Sequence, residues 1–164
     1  MRILRDSYFV AVAANHLAVD LLNTQMAILV VFLAPSLRLS NADIGLVVLI
    51  YTAFGSLTQP IFGWLLDKYR IEWIVGAALL WLAVWVSVAV TVSGMWAIVA
   101  LSIGALGSAA FHASGIERAT MRGAIIMGGR AATAASIFIC FGCLLYTSDA
   151  ADDTPCVDLG GRRI

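Results

Sequence analysis

Five apolar stretches, each about twenty residues or longer, follow one another with only short polar joints between them. They cover roughly residues 8–33, 42–66, 71–92, 95–114 and 121–145. Crossing a bilayer as a helix takes about 20 predominantly apolar residues. Pro35 closes the first stretch, Pro60 lies near the end of the second, and Ser93–Gly94 turns the chain between the third and fourth. Arg130 interrupts the fifth. Only 12% of the 164 residues are charged and the mean hydropathy is +0.95, whereas soluble domains carry about 25% charged residues. So few charges cannot cover a water-facing surface. The expected fold is all-α, a polytopic membrane bundle of about five helices, with the lipid bilayer as its solvent.

The joints give an orientation. Lys and Arg concentrate in cytoplasmic loops. With the N-terminus inside, Arg2, Arg5, Lys68, Arg70, Arg118 and Arg122 all fall inside, and only Arg38 falls outside. The N-terminal stretch is too long for a signal peptide and carries His16, Asp20 and Asn23 in its middle. A net charge of zero argues against a nucleic-acid partner, and three cysteines make no disulfide framework. Charge bias accounts for the bases between the second and third spans. It does not account for Asp67, since an acid there helps neither orientation nor insertion.

Residues 63–70, "GWLLDKYR", resemble the signature loop of the major facilitator superfamily, in which Gly, an apolar pair, Asp and a base join helices two and three. Gly63, Asp67 and Lys68 fit, and Arg70 extends the basic end. The Gly-Arg-Arg that usually follows is replaced by Arg70, Ile71 and Glu72. "HLAVDLLN" (residues 16–23), "YTAFGSLTQPIFGWLLDK" (51–68) and "LGSAAFHASG" (106–115) are similar to the fosmidomycin-resistance type of facilitator. There helix one carries His-x-x-x-Asp, and helix four ends in a Gly-Ser…Phe-His segment. The usual Pro after that His is Ala113 here, and residues 97–108 lack the base that many facilitators carry in helix four. The resemblance covers roughly residues 8–140. It implies a secondary transporter of twelve helices in two halves, of which this chain holds part of the first, with the C-terminal half missing. In the family the loop Asp latches one conformation against a helix N-terminus, where a carboxylate gains roughly 0.3–1 kcal/mol.

Six polar residues are candidates for a substrate or proton site. His16, Asp20 and Asn23 lie at i, i+4 and i+7, on one helix face. An ionised Asp at a helix centre costs about 2.5–3.5 kcal/mol on insertion scales, so Asp20 is expected to face a cavity or a partner. His titrates near pH 6.5, so the pair can couple proton movement to that of a small-molecule substrate; the alternative is a polar lock between helices. His112, beside Gly104, Gly107 and Ser108, is expected at the cavity floor or gate. Arg130 is expected within the fifth span, as a partner for Asp20 or an anionic substrate. Tyr51 is a candidate cavity residue. Gln59–Pro60 is expected to kink the second span, and Trp64, Trp73 and Trp96 to anchor it and its neighbours at interfaces. Cys140 and Cys143 form a C-x-x-C in an apolar helix, which favours packing over redox or metal chemistry.

No Walker loop, Ser-His-Asp spacing or dinucleotide fingerprint occurs, so no catalytic residue, cofactor or metal is assigned. After Gly142 the composition changes abruptly to "CLLYTSDAADDTPCVDLGGRRI", which resembles translated adaptor or read-through sequence. The expected organisation is a partial transporter bundle over 1–142 and an unstructured tail over 143–164. The expected function is proton-coupled efflux of a small drug or metabolite across the inner (plasma) membrane. Its rivals are a small self-assembling helical membrane protein, such as a channel or structural subunit, and a membrane-embedded enzyme whose His and Asp groups ligate a metal.

Overall fold

The computed structural model describes residues 2–69 and 71–152. Among them every regular element is helical: a 3-10 turn at Ile3–Arg5, then α1 (Ser7–Leu37), α2 (Asn41–Leu57), α3 (Gln59–Tyr69), α4 (Ile74–Thr91), α5 (Met95–Ile126) and α6 (Ala131–Asp152). Four rods are long and apolar enough to cross a membrane: α1, α2 continued by α3, α4, and α5. The apolar part of α6 is shorter, Ala131–Leu144. Large apolar side chains face outward all round the bundle, among them Phe32, Leu57, Trp73, Trp96 and Ile125, each more than 70% exposed. A surface of that kind needs lipid. The chain is an all-α, multi-pass membrane protein.

Local chemistry explains where the helices begin and end. Asp6 caps α1, accepting from the Phe9 N–H at 2.9 Å. Ser40 and Asp43 form a reciprocal capping box at the start of α2. Pro35 does not close α1, as the sequence reading had it. The helix continues to Leu37 and stops where Arg38 turns left-handed, with φ 54°. Pro60 falls in the first turn of α3, where its missing N–H costs little. At that break the Thr58 hydroxyl donates to the Phe54 carbonyl at 2.6 Å and the Gln59 amide to the Gly55 carbonyl at 3.1 Å.

The C-terminal third departs from expectation in three ways. The fourth span does not end near residue 114, because α5 runs unbroken to Ile126 and carries Glu117, Arg118 and Arg122 on its last turns. The fifth does not begin at 121, because Gly128 and Gly129, with φ of 61° and 90°, turn the chain between α5 and α6. The chain is also helical past residue 143, to Asp152, where an unstructured tail was expected. No Gly or Pro breaks residues 144–152. Residues 153–164 and Arg70 lie outside the described residues.

α5 is the central helix, with 61% of its most apolar window buried, against 6% for the α2–α3 rod. It packs most extensively on α4. One core gathers Phe9, Leu82, Phe111 and Phe138 from α1, α4, α5 and α6. A second gathers Met26, Val30, Tyr51 and Leu101.

The ends of α1 and α5 are tied by Arg122, whose Nε and Nη2 donate to the two Asp6 carboxylate oxygens at 3.0 and 2.6 Å. That guanidinium, and after it the Phe9 N–H, holds the Asp6 carboxyl below its ordinary range. A depressed folded pKa stabilises the fold above the unfolded value of about 3.9 and is lost as pH falls through the folded value. Asp6→Ala is therefore expected to lower the thermal midpoint in detergent by a constant amount from pH 5 to 8. The difference should vanish only in stronger acid. Asp6→Asn, which keeps the cap and loses the ion pair, should fall between. A difference that disappears already at pH 6 would contradict this assignment.

Candidate functional site

Asp20 lies near the middle of α1, 8% exposed, and is the one Asp, Glu, Lys or Arg of that helix. Two histidines reach it. His16, one turn earlier on α1, places Nε2 3.5 Å from Asp20 Oδ2. His112, on α5, places Nε2 3.2 Å from Asp20 Oδ1. Each histidine is held by its other nitrogen: His16 Nδ1 donates to the Phe138 carbonyl on α6 at 2.8 Å, and His112 Nδ1 to the Ser108 carbonyl at 2.8 Å. A carbonyl oxygen only accepts, so both Nδ1 atoms carry the proton. The His16 ring also stacks on Phe138, with centroids 4.1 Å apart and planes at 11°, and meets the His112 ring edge-on at 5.0 Å.

A neutral relay continues from this cluster. Asn23 Nδ2 donates to the Ser108 hydroxyl at 2.9 Å, and the Tyr51 hydroxyl donates to Asn23 Oδ1 at 2.7 Å. Asp20, Asn23, Tyr51, Ser108 and His112 line a cavity of about 440 Å³ between α1, α2 and α5. His16 sits behind Asp20, 5% exposed. Of the i, i+4, i+7 face of α1, Asp20 and Asn23 turn to a cavity, which Tyr51 and His112 share, and His16 does not line it.

Arg130 does not join this group. It is exposed in the turn after Gly128 and Gly129, which end α5 before the chain re-enters the bundle. The base that meets Asp20 is His112 instead. Gly63 lies mid-way along α3, and Asp67 and Lys68 lie in its last turn; none of the three lines the cavity at Asp20. Asp67 borders a second cavity, of about 380 Å³, with Glu72, Glu117 and Arg118. Arg118 donates to the Ile71 carbonyl at 3.1 Å across the α3–α4 joint. Lys68 lies over the Trp64 and Tyr69 rings at 4.9 and 5.1 Å. Cys140 and Cys143 are exposed and free.

Sequence reasoning missed Ser108, Phe138 and Gly142. A Cβ on Gly142 would lie 2.6 Å from His16 Cε1 and 2.7 Å from Nε2, and closer still to Asp20 Oδ2. Contacts under 3.0 Å force a shift, so α6 closes over the His16–Asp20 pair only because residue 142 has no side chain. Gly142→Leu is expected to push α6 away and break the His16–Phe138 hydrogen bond. The His16 ring NMR signals should then move, whereas Gly45→Leu, with nothing within 4 Å of its Cβ position, should leave them in place. The glycine was legible in the sequence; its partner across the bundle was not. No protein-family model, characterised protein or solved structure matches this chain.

Proposed function

We propose that the chain is part of the N-terminal half of a secondary active transporter of the major facilitator type, exporting a small drug or metabolite in exchange for protons. The observation that carries this reading is the convergence of Asp20, His112, Asn23 and Tyr51 on a cavity inside an apolar bundle, with His16 behind Asp20. Ionisable groups within membrane helices are costly and belong on pathways for ions or substrates. Transporters of this kind bind near the bilayer midplane and alternate access by rocking two bundles. In this reading Asp20, His16 and His112 hold the coupling proton, and Asn23, Tyr51 and Ser108 meet the substrate. Asp67, Lys68 and Arg70 belong to the conformational loop. The chain sits in the inner (plasma) membrane with its N-terminus in the cytoplasm, as the charge bias of its joints favours.

Two measurements test the proposal. Reconstituted alone in vesicles, the 164-residue chain should move no substrate, while the completed twelve-helix parent should. Transport by the chain alone would favour a self-assembling channel. For orientation, Tyr69→Cys should resist an impermeant thiol reagent added outside intact cells, and Ser93→Cys should react. Outside labelling at residue 69 would reverse the topology.

A further inference from the structure

The cluster around Asp20 also has the form of a metal-ion site. With both Nδ1 atoms committed to carbonyls, both Nε2 atoms are left to face one carboxylate, and in the neutral form each imidazole turns a lone pair toward it. With neutral histidines three acceptors converge, and either protons on Nε2 or a metal ion held between the three groups resolves that arrangement. One ligand atom from each of His16, Asp20 and His112 lies within 4.8 Å of the other two. A tetrahedral centre with bonds of 2.0–2.1 Å sets its ligand atoms about 3.3–3.4 Å apart. His16 Nε2 lies 3.5 Å from Asp20 Oδ2 and His112 Nε2 3.2 Å from Asp20 Oδ1, each close to that spacing, with the carboxylate presenting one oxygen to each imidazole. Histidines that ligate metals also commonly donate their other ring N–H to a backbone carbonyl, which fixes tautomer and ring orientation. Both histidines do so here.

We propose that His16, Asp20 and His112 bind a late first-row divalent cation, of which Zn²⁺ is the reference, through the two Nε2 atoms and the Asp20 carboxylate. Two imidazoles and one carboxylate suit Zn²⁺, Cu²⁺ or Ni²⁺. Mg²⁺ and Ca²⁺ need six or more oxygen ligands, which the site does not offer. Gly142 closes the α6 side. The remaining coordination position opens on the cavity beside Asn23 and Ser108, with room for water or an anionic group. A position open in this way lets the ion exchange. The sequence reading assigned no metal, because the third ligand lies on a different helix, 92 residues after Asp20.

The proposal does not depend on transport, so it is tested by binding to the 164-residue chain in detergent. Cys140, Cys143 and Cys156 are replaced by Ser to remove thiolate ligands, and any histidine tag is cleaved. Co²⁺ is the spectroscopic probe. The expected result is one Co²⁺ per chain, with the intense visible bands of a four- or five-coordinate ion, displaced by Zn²⁺. Loss of an outer-shell partner alone costs about 10–100-fold in affinity. Asp20→Asn, His16→Gln and His112→Gln should each therefore weaken binding by more than about 100-fold, while Gly76→Ala should bind as the parent does. Zn²⁺ should also raise the thermal midpoint of the cysteine-free chain, a readout that holds even if a variant fails to fold. Absence of both the Co²⁺ bands and the Zn²⁺-dependent rise would overturn the proposal, as would Co²⁺ binding unchanged in folded Asp20→Asn and His112→Gln. Neither failure touches the transporter reading, which stands or falls on vesicle transport.

Discussion

Asp20→Asn in the completed transporter is expected to abolish coupled efflux while leaving the protein in the membrane. Asn keeps the size of the side chain and removes its charge. An ionised Asp at a span centre costs about 2.5–3.5 kcal/mol on insertion scales, so yield in the membrane should hold or rise. The change removes the only carboxylate facing His16 and His112 among the described residues. Vesicles carrying the variant and loaded with substrate should show no more efflux than empty-vector vesicles at any pH from 6 to 8. Full efflux across that range would make Asp20 a lock between α1 and α5 and move coupling elsewhere.

Gly107→Leu is expected to prevent folding of the bundle. A Cβ at Gly107 would lie 2.7 Å from the Ala78 carbonyl oxygen, 2.8 Å from Trp81 Cδ1 and 2.9 Å from the Leu82 nitrogen. Two of these are backbone atoms of α4, so relief requires the helices to separate. Even Gly107→Ala should cost about 1–3 kcal/mol, in the range for overpacked cores. Gly76→Ala, with nothing within 4 Å of its Cβ position, should be neutral or gain up to about 1 kcal/mol from helix propensity. Thermal unfolding in detergent, followed by helix content, separates the two. A Gly107→Ala protein as stable as the parent would mean that α4 and α5 pack less closely than described.

The spans were legible because lipid imposes length: about twenty apolar residues are hard to mistake for anything else. The shared face of His16, Asp20 and Asn23 was equally legible, since it follows from helical spacing alone. What failed was local punctuation. Gly128–Gly129 is a helix end written in glycine, and treating Arg130 as the interruption put that side chain inside the bundle. The charges late in α5 read as a loop by composition, but a 32-residue helix is long enough to carry them beyond the apolar core. The partnership of Asp20 with His112 was out of reach for a different reason. It depends on how α1 and α5 are rotated against each other, and no single-helix pattern encodes that rotation. Ser108, Phe138 and Gly142 were missed on the same ground.

The hydrogen bond from His16 to the Phe138 carbonyl spans 122 residues. Ribosomes add about 5–20 residues per second, so about 6–24 seconds separate the emergence of the histidine from that of its partner. Tyr51 becomes available to Asn23 after 28 residues and His112 to Asp20 later in α5, but His16 waits through the whole interval for its carbonyl. The arrival of the last described helix completes its surroundings. Biogenesis therefore has a vulnerable period set by chain order, and whatever shelters α1 during it acts before the bundle can shelter α1 itself.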